Sequence, residues 1–201
     1  MLTRDSDELF FKKMTSLYKA AMDFVSDTDT IHCKVNKKVY FAGPWFTDRD
    51  NQVYDFCVKT AKLFKQKGPE IFFPRENSQS AGYNPKETFN NNIENIDNSD
   101  IVVAFVSTKD VGTAFELGHA YRAGIPIYLL VYDIDDVAES KTNLMLAMSA
   151  KGIFTLSNWI DFLLGNMNNM EFIEIKNKWE GIEWKFTKVL RTFQLNFWIF
   201  Q

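Results

Sequence analysis

The sequence predicts an α/β fold of Rossmann-like or flavodoxin-like type, a parallel sheet flanked by helices in a single domain with terminal extensions. Three observations carry that reading. From residue 37 onward, short apolar runs alternate with stretches of helical spacing, the pattern of βαβ units. One run, Ile101 to Val106, is nearly continuous and rich in β-branched residues, as a strand buried on both faces requires. The runs end at turn residues, with Gly43-Pro44 after the first and Pro74 after the second.

A length of 201 residues fits one decorated domain. With 46% hydrophobic and 15% aromatic residues the chain has the apolar surface for a core, which argues against global disorder. The 23 Lys and Arg against 26 Asp and Glu, without a basic run, oppose a nucleic-acid polymer as partner, because such binding needs many phosphates neutralised. No stretch approaches the ~18–20 apolar residues of a membrane span. Asp5, Asp7 and Glu8 precede any apolar run, the wrong order for a secretory signal, so no membrane partner and a cytoplasmic location are expected. Cys33 and Cys57 lack CxxC spacing, which leaves neither a disulfide scaffold nor a zinc knuckle.

Taken in order, residues 5–25 place Leu9, Phe10, Met14, Leu17, Ala21 and Phe24/Val25 at helical spacing, with Asp5 or Ser6 to cap. A polar linker, Ser26 to Thr30, follows, and residues 1–35 read as a helical extension packing on the core or on another subunit. Val39 to Ala42 is the first strand. A helix from about Asp50 to Gln66 puts Val53, Phe56/Cys57, Thr60/Ala61 and Phe64 on one face. Glu70 to Phe73 is a second strand, and Arg75 to Lys86, full of Asn, Ser, Gln, Gly and Pro, reads as a long loop. Helical spacing returns at Phe89, Ile93 and Ile96. After the strand at Ile101, residues 112–124 form a helix stopped at Gly124, followed by a strand at Ile125–Val131. A helix near Asn143–Ser149, a strand near Ile153–Leu156 and a helix at Asn158–Leu164 complete the series.

In such sheets, ligands bind outside the carboxyl ends of the strands. Three segments there carry functional groups: Gly43 to Asp48, Arg75 to Tyr83 and Ser107 to Glu116. None is a GxGxxG or Walker A sequence, so a dinucleotide or P-loop reading lacks support. The sharpest feature is Asp110-Val-Gly112-Thr-Ala-Phe-Glu116-Leu-Gly118. Asp110 falls in the loop, Gly112 allows close backbone approach, and Glu116 lies about one turn into the helix, able to face the strand ends. Gly118 and Ala120 are small enough for tight packing on the sheet. Two carboxylates near one pocket suit glycosyl chemistry, in which one attacks or stabilises an oxocarbenium-like carbon and another polar group manages the leaving group's proton. The same spacing also fits a plain capped helix, with Asp110 at the dipole and Glu116 in solvent.

Tyr40-Phe-Ala-Gly-Pro-Trp45-Phe46-Thr-Asp48-Arg49, with Asp110-x-Gly-Thr-Ala-x-Glu116-Leu-Gly-x-Ala120, resembles the nucleoside 2-deoxyribosyltransferase family. Phe89-Asn-Asn-Asn92 and Asn143-Leu-Met145 fall in the order that family shows, and the likeness spans roughly residues 37–184. The resemblance implies a double-displacement transfer of 2-deoxyribose between nucleobases, in a homo-oligomer, with small-molecule nucleosides and nucleobases as partners and no metal or organic cofactor. It implies Glu116 as the nucleophile, Asp110 as the acid that contacts the base, and Tyr40 as the residue orienting Glu116. Trp45 and Phe46 match positions lining the base pocket. Asn143 and Met145 match positions that reach the sugar's 5′ end from a neighbouring subunit. Gln79, with Asn77 beside it, stands where the family places a base-recognising amide.

Two departures stand out. Asn92 occupies a position that is Asp in the better-known bacterial transferases, and an amide hydrogen-bonds a base or sugar but takes no proton at neutral pH. Trp179 to Trp184 resembles the family's C-terminal stretch, yet this chain continues, so a terminal carboxylate cannot sit there. Residues 36–184 are thus expected to form the catalytic domain. Residues 185–201, with Phe186, Leu190, Phe193 and Phe197 on one stripe, read as an extension for subunit packing. Asp48 either contacts a ligand or pairs with Arg49. His119, three residues after Glu116, reads as a structural histidine beside the sheet, and Cys57 as a small buried hydrophobe. Hydrolysis of a nucleoside or its 5′-monophosphate, or ligand sensing without turnover, remain open beside transfer. Asn143 and Met145 offer no charge for a phosphate, which favours a free 5′-hydroxyl.

Overall fold

Alternation along the strands decides which side chains meet which helices, since successive residues of a strand point to opposite faces. In the computed structural model, which describes residues 4–27, 35–80, 84–106, 110–132, 143–167, 170, 177–179 and 182–184, five parallel strands form the sheet. They are β1 (Lys38–Ala42), β2 (Glu70–Phe72), β3 (Ile101–Phe105), β4 (Ile127–Val131) and β5 (Gly152–Thr155), in the order β2-β1-β3-β4-β5. That is the flavodoxin-like order, with its switch point between β1 and β3. Val39 and Phe41 of β1, with Ile101, Val103 and Phe105 of β3, face one core; Tyr40 and Ala42, with Val102 and Ala104, face the other.

The first core is closed by α1 (Arg4–Asp27), α2 (Asp48–Leu63) and α7 (Trp159–Leu163). Thr47 begins α2 with a capping box, its hydroxyl accepting from Asp50 N while the Asp50 carboxylate accepts from Thr47 N. The face expected from helical spacing is buried: Val53, Phe56, Cys57, Thr60 and Phe64 all lie in the interior. Fully buried Trp159 donates its indole N–H to Thr60 Oγ1 at 2.8 Å, and the Thr60 hydroxyl donates onward to Phe56 O at 2.7 Å. This polar chain through the core is therefore satisfied at each of its members.

The second core is closed by α4 (Pro85–Asp97), α5 (Val111–Ala123) and α6 (Leu144–Ser149), which contribute Ile96, Leu117, Ala120 and Ala147. Gly124 ends α5 in the left-handed region at φ 76°, where a side chain would be strained. Strands β6 (Asn177–Trp179) and β7 (Ile182–Trp184) pair antiparallel as a separate two-stranded sheet.

Several expectations need correcting. Residues 75–80 of the anticipated long loop belong to a helix, α3 (Pro74–Ser80), because Pro74 starts it with a φ already helical and Glu76 sits in its first turn. Pro85 plays the same part in α4, behind an Asn84 side chain that accepts from Lys86 N and Glu87 N. Strand β4 starts at Ile127, two residues later than expected. Leu9 points to solvent at 69% exposure, whereas Phe10 and Ala21 carry the buried stripe of α1. Gly118 is exposed with open space where a Cβ would stand, so only Ala120 packs on the sheet. Phe89 stays half outside and meets Phe115 of α5 at a tilt of 44°, with ring centroids 5.9 Å apart. The linker beyond residue 27, His32, Cys33, Tyr83, the loop 107–109 and the tail 185–201 lie outside the described residues.

Candidate active site

Strand register and one helical turn bring the central pair together. Tyr40 lies in the middle of β1, opposite Val102 of β3, and its even position points it to the side where α5 packs. Glu116 lies one turn and a half into α5. The Tyr40 hydroxyl donates to Glu116 Oε1 at 2.5 Å across a separation of 76 residues. Tyr40 is wholly buried and Glu116 half-buried, so this carboxylate is not a solvated helix residue.

Burial holds the Glu116 carboxyl above its ordinary range, up to about 7; the Tyr40 hydrogen bond works downward and the nearby Asp110 charge upward. Burial, with Glu116 beside it, pushes the Tyr40 phenol far up, so Tyr40 acts as a neutral donor. At pH 7 this carboxyl is therefore about half ionised.

Asp110 caps α5. Its Oδ2 accepts from both Thr113 N and Thr113 Oγ1, each at 2.6 Å. Capping and chemistry were rival readings of Asp110 in the sequence, yet the cap is also what holds this carboxylate near Glu116. Gly112 sits beneath it: a Cβ there would lie 3.3 Å from Asp110 Oδ2, so any side chain presses on the carboxylate.

The other sequence candidates distribute unevenly. Trp45 is half-buried and rests edge-on against Tyr54 at 5.9 Å, as part of the α2 core. Phe46, its neighbour at 6.0 Å, is 73% exposed and is the aromatic of this loop open to a flat ligand. Asp48 is exposed and lines a cleft of about 390 Å³ with Phe10, Asn51 and Asp55, on the α1 and α2 side of the sheet rather than beside Glu116. Arg49 does not pair with Asp48 there; its guanidinium stacks between Phe10 and Tyr132, 4.6 and 4.8 Å from their ring centres. Asn92 is half-buried on α4, the helix that packs against α5. Asn143 caps α6 by accepting from Met145 N at 2.9 Å, and Met145 is exposed. Gln79 falls in the last turn of α3, with its side chain outside the described residues; Asn77 is exposed on the same helix. His119 is not buried beside the sheet; it bridges α5 to α4 through Asp97 Oδ1 at 2.7 Å. Cys57 is a free, buried thiol.

Two side chains were given no part by the sequence reading, Thr113 beside Asp110 and Arg75 on the α2 side of the sheet. Thr113 is buried and bound to Asp110, and the Asp-x-x-Thr spacing at a helix start was the signal available. Arg75, just past β2, bonds Asn51 Oδ1 at 2.9 Å, pairs with Asp55 and lies over the Tyr54 ring; nothing local in the sequence marks it. Among the described residues no cluster of three or more His, Cys, Asp or Glu side chains could hold a metal ion, and no helix is long and apolar enough to cross a membrane.

Comparison with known proteins supplies the context for this geometry. The profile of the family described as nucleoside 2-deoxyribosyltransferase matches residues 39–151, a span that contains β1, α5 and α6. The nucleoside deoxyribosyltransferase of Lactobacillus leichmannii is 29% identical over 151 residues, covering 68% of this chain and 93% of that protein. A 2-deoxyribosyltransferase from Bacillus psychrosaccharolyticus superposes with a TM-score of 0.50 at 26% identity, over 62% of this chain and 88% of that one. A conserved protein from Enterococcus faecalis shares the fold at a TM-score of 0.52 and 24% identity, over 66% of this chain and 99% of that one.

Proposed function

The chain belongs to the nucleoside 2-deoxyribosyltransferase family, and from that premise we propose that it exchanges the nucleobase of a 2′-deoxynucleoside through a covalent deoxyribosyl–Glu116 intermediate. The observation that carries this reading is the hydrogen bond from Tyr40 to Glu116 Oε1 within a half-buried site. It engages one carboxylate oxygen; among the described residues no hydrogen bond engages Oε2, the oxygen assigned to the attack.

In the first half-reaction Glu116 Oε2 attacks C1′ from the face opposite the base. The C1′–N bond breaks, its electron pair goes to the base nitrogen, and that nitrogen takes a proton from the Asp110 carboxyl. In the second, a new base attacks C1′, its proton passes to Asp110, and Glu116 is released. Two inversions give net retention. Tyr40 orients Glu116, Gly112 leaves room for the Asp110 carboxylate, and Phe46 with Trp45 stacks the base. Asn92, an amide, serves as a hydrogen-bonding group and not as a proton carrier. Gln79 remains a proposed base-side contact, whereas Asp48, facing the α1 and α2 cleft, is given no part in the transfer; the reaction needs no metal or organic cofactor.

The protein works as a homo-oligomer in which Asn143 and Met145 complete a neighbour's site. Support comes from the large apolar side chains left exposed on the α5 and α6 side: Val111, Phe115, Leu144, Met145 and Met148. Light scattering tests this, with a mass of one protomer opposing it. The functional test is chromatographic: 2′-deoxyinosine or thymidine is incubated with adenine or cytosine and the wild-type or Glu116→Ala protein. A new deoxynucleoside from wild type alone is expected. Free base without a new nucleoside would instead identify a hydrolase, and ligand binding without turnover a sensor.

A further inference from the structure

The geometry points to Thr113 as a positioning residue that decides which oxygen of Asp110 carries the proton delivered to the departing base. This rests on the transferase reading above and deepens it. Asp110 Oδ2 receives two hydrogen bonds at 2.6 Å, from the backbone N–H and from the hydroxyl of Thr113. A neutral carboxyl group has a single O–H. An oxygen already approached by two donors is the poorer place for it, so the proton is steered to Oδ1. Among the described residues no hydrogen bond to Oδ1 competes with a ligand.

The arrangement is built into the start of α5. The backbone bond is the helix cap and needs only a backbone N–H at 113, which every residue but proline supplies; the hydroxyl bond is the additional element. Thr113 is 3% exposed, so its hydroxyl has little water to turn to and is held on Asp110. From below, Gly112 leaves the carboxylate its place, because a Cβ would stand 3.3 Å from Oδ2. With cap, hydroxyl and glycine together, the carboxylate plane is fixed before substrate arrives, and the proton needs no reorientation at the moment the C1′–N bond breaks.

Thr113→Val keeps the shape and the backbone cap while removing the hydroxyl; Thr113→Ser keeps the hydroxyl. The two variants and the wild type are compared on two substrates, 2′-deoxyinosine and 7-methyl-2′-deoxyguanosine. The base of the second already bears a positive charge and departs without taking up a proton. The expected result is a loss of kcat on 2′-deoxyinosine of about tenfold or more for Thr113→Val, with less than a twofold change on the methylated substrate. Thr113→Ser should stay within about threefold of wild type on both, and melting curves verify that each variant folds. Equal slowing of both substrates by Thr113→Val would mean a structural role and overturn the inference. So would a Thr113→Ser protein as slow as Thr113→Val. A Thr113→Val protein as fast as wild type on both substrates overturns this inference alone, whereas a wild type inactive on both overturns the transferase reading with it.

Discussion

The two faces of the sheet are built to different rules. On the α1, α2 and α7 face, aromatic side chains interlock: Phe41 meets Tyr54, Phe73 and Trp159 at 5.2–5.6 Å, and Trp159 stacks on Phe162 at 5.4 Å. Its buried polar atoms on Thr60 and Trp159 satisfy each other. On the α4, α5 and α6 face the core is made of smaller residues, Ala42, Ala104, Ala120 and Ala147 among them. Here a carboxylate is buried against a phenol, and apolar side chains stand in solvent. The first face holds the fold together. The second accepts a group that destabilises it when charged, a cost that fits the transfer proposed for it.

The largest expected effect breaks the first face alone. Trp159→Ala removes a fully buried indole and leaves Thr60 Oγ1 without its donor, for a loss of about 3–5 kcal/mol in urea unfolding. Activity per folded molecule should hardly change. If activity collapsed while stability held, the division between the faces would be wrong.

Next comes the charge on the second face. The folded Glu116 carboxyl sits at about 7 against an ordinary 4.5, so folding holds its proton more tightly than the unfolded chain does. The stability this gives is complete below pH 4.5 and is lost as pH rises through about 7. Glu116→Gln does not titrate. It should therefore gain on wild type across that window and stay ahead above it, by up to about 3 kcal/mol. Parallel stability curves from pH 4 to 9 would contradict the burial of a titrating carboxyl.

Tyr40→Phe acts on the same group in the other direction. It removes the bond that lowers the Glu116 pKa, so the acid limb of kcat/KM should move above 7. A loss of about 10–100-fold is expected, greatest near pH 6 and smaller near pH 9. An unmoved limb would remove Tyr40 from the mechanism. The smallest effect belongs to Thr60→Val, expected to cost about 1–2 kcal/mol through the unpaired Trp159 N–H, with the pH profile of activity unchanged.

How much of this the sequence disclosed depends on the range of the interaction. The apolar runs Val39–Ala42 and Ile101–Val106 mark strands buried on both faces, but being apolar throughout they do not say which face α5 covers; packing puts Tyr40 on it. The cap at Asp110 and the stop at Gly124 are likewise local and readable; the caps at Thr47 and Asn84 emerge only with the structure, since the sequence starts that helix near Asp50 and places Asn84 in a loop. Helix α3 was hidden because its residues are polar and show no apolar period; Pro74 marks a strand's end and a helix's start equally well. Leu9 and Phe10 are adjacent in α1, and only the packing of Phe10 against Tyr132, 4.6 Å away, decides which turns inward. Phe89 looked like a core residue for want of any local sign that Phe115 would meet it outside. Glu116 and Asp110 could be named from their motif. Whether Glu116 would be solvated or buried depends on Tyr40, which lies 76 residues earlier, and spacing within one helix holds no information about that.

The central claim is that Glu116 forms a bond to C1′. Intact-mass and peptide-mapping spectrometry of the protein incubated with a 2′-deoxy-2′-fluoroarabinosyl nucleoside tests it most directly, since the electron-withdrawing fluorine slows release of a glycosyl-enzyme. The account predicts one added fluorosugar per chain, carried on the peptide that contains Glu116 and absent from Glu116→Ala. Consumption of the analogue with no adduct, or an adduct on another residue, would contradict it.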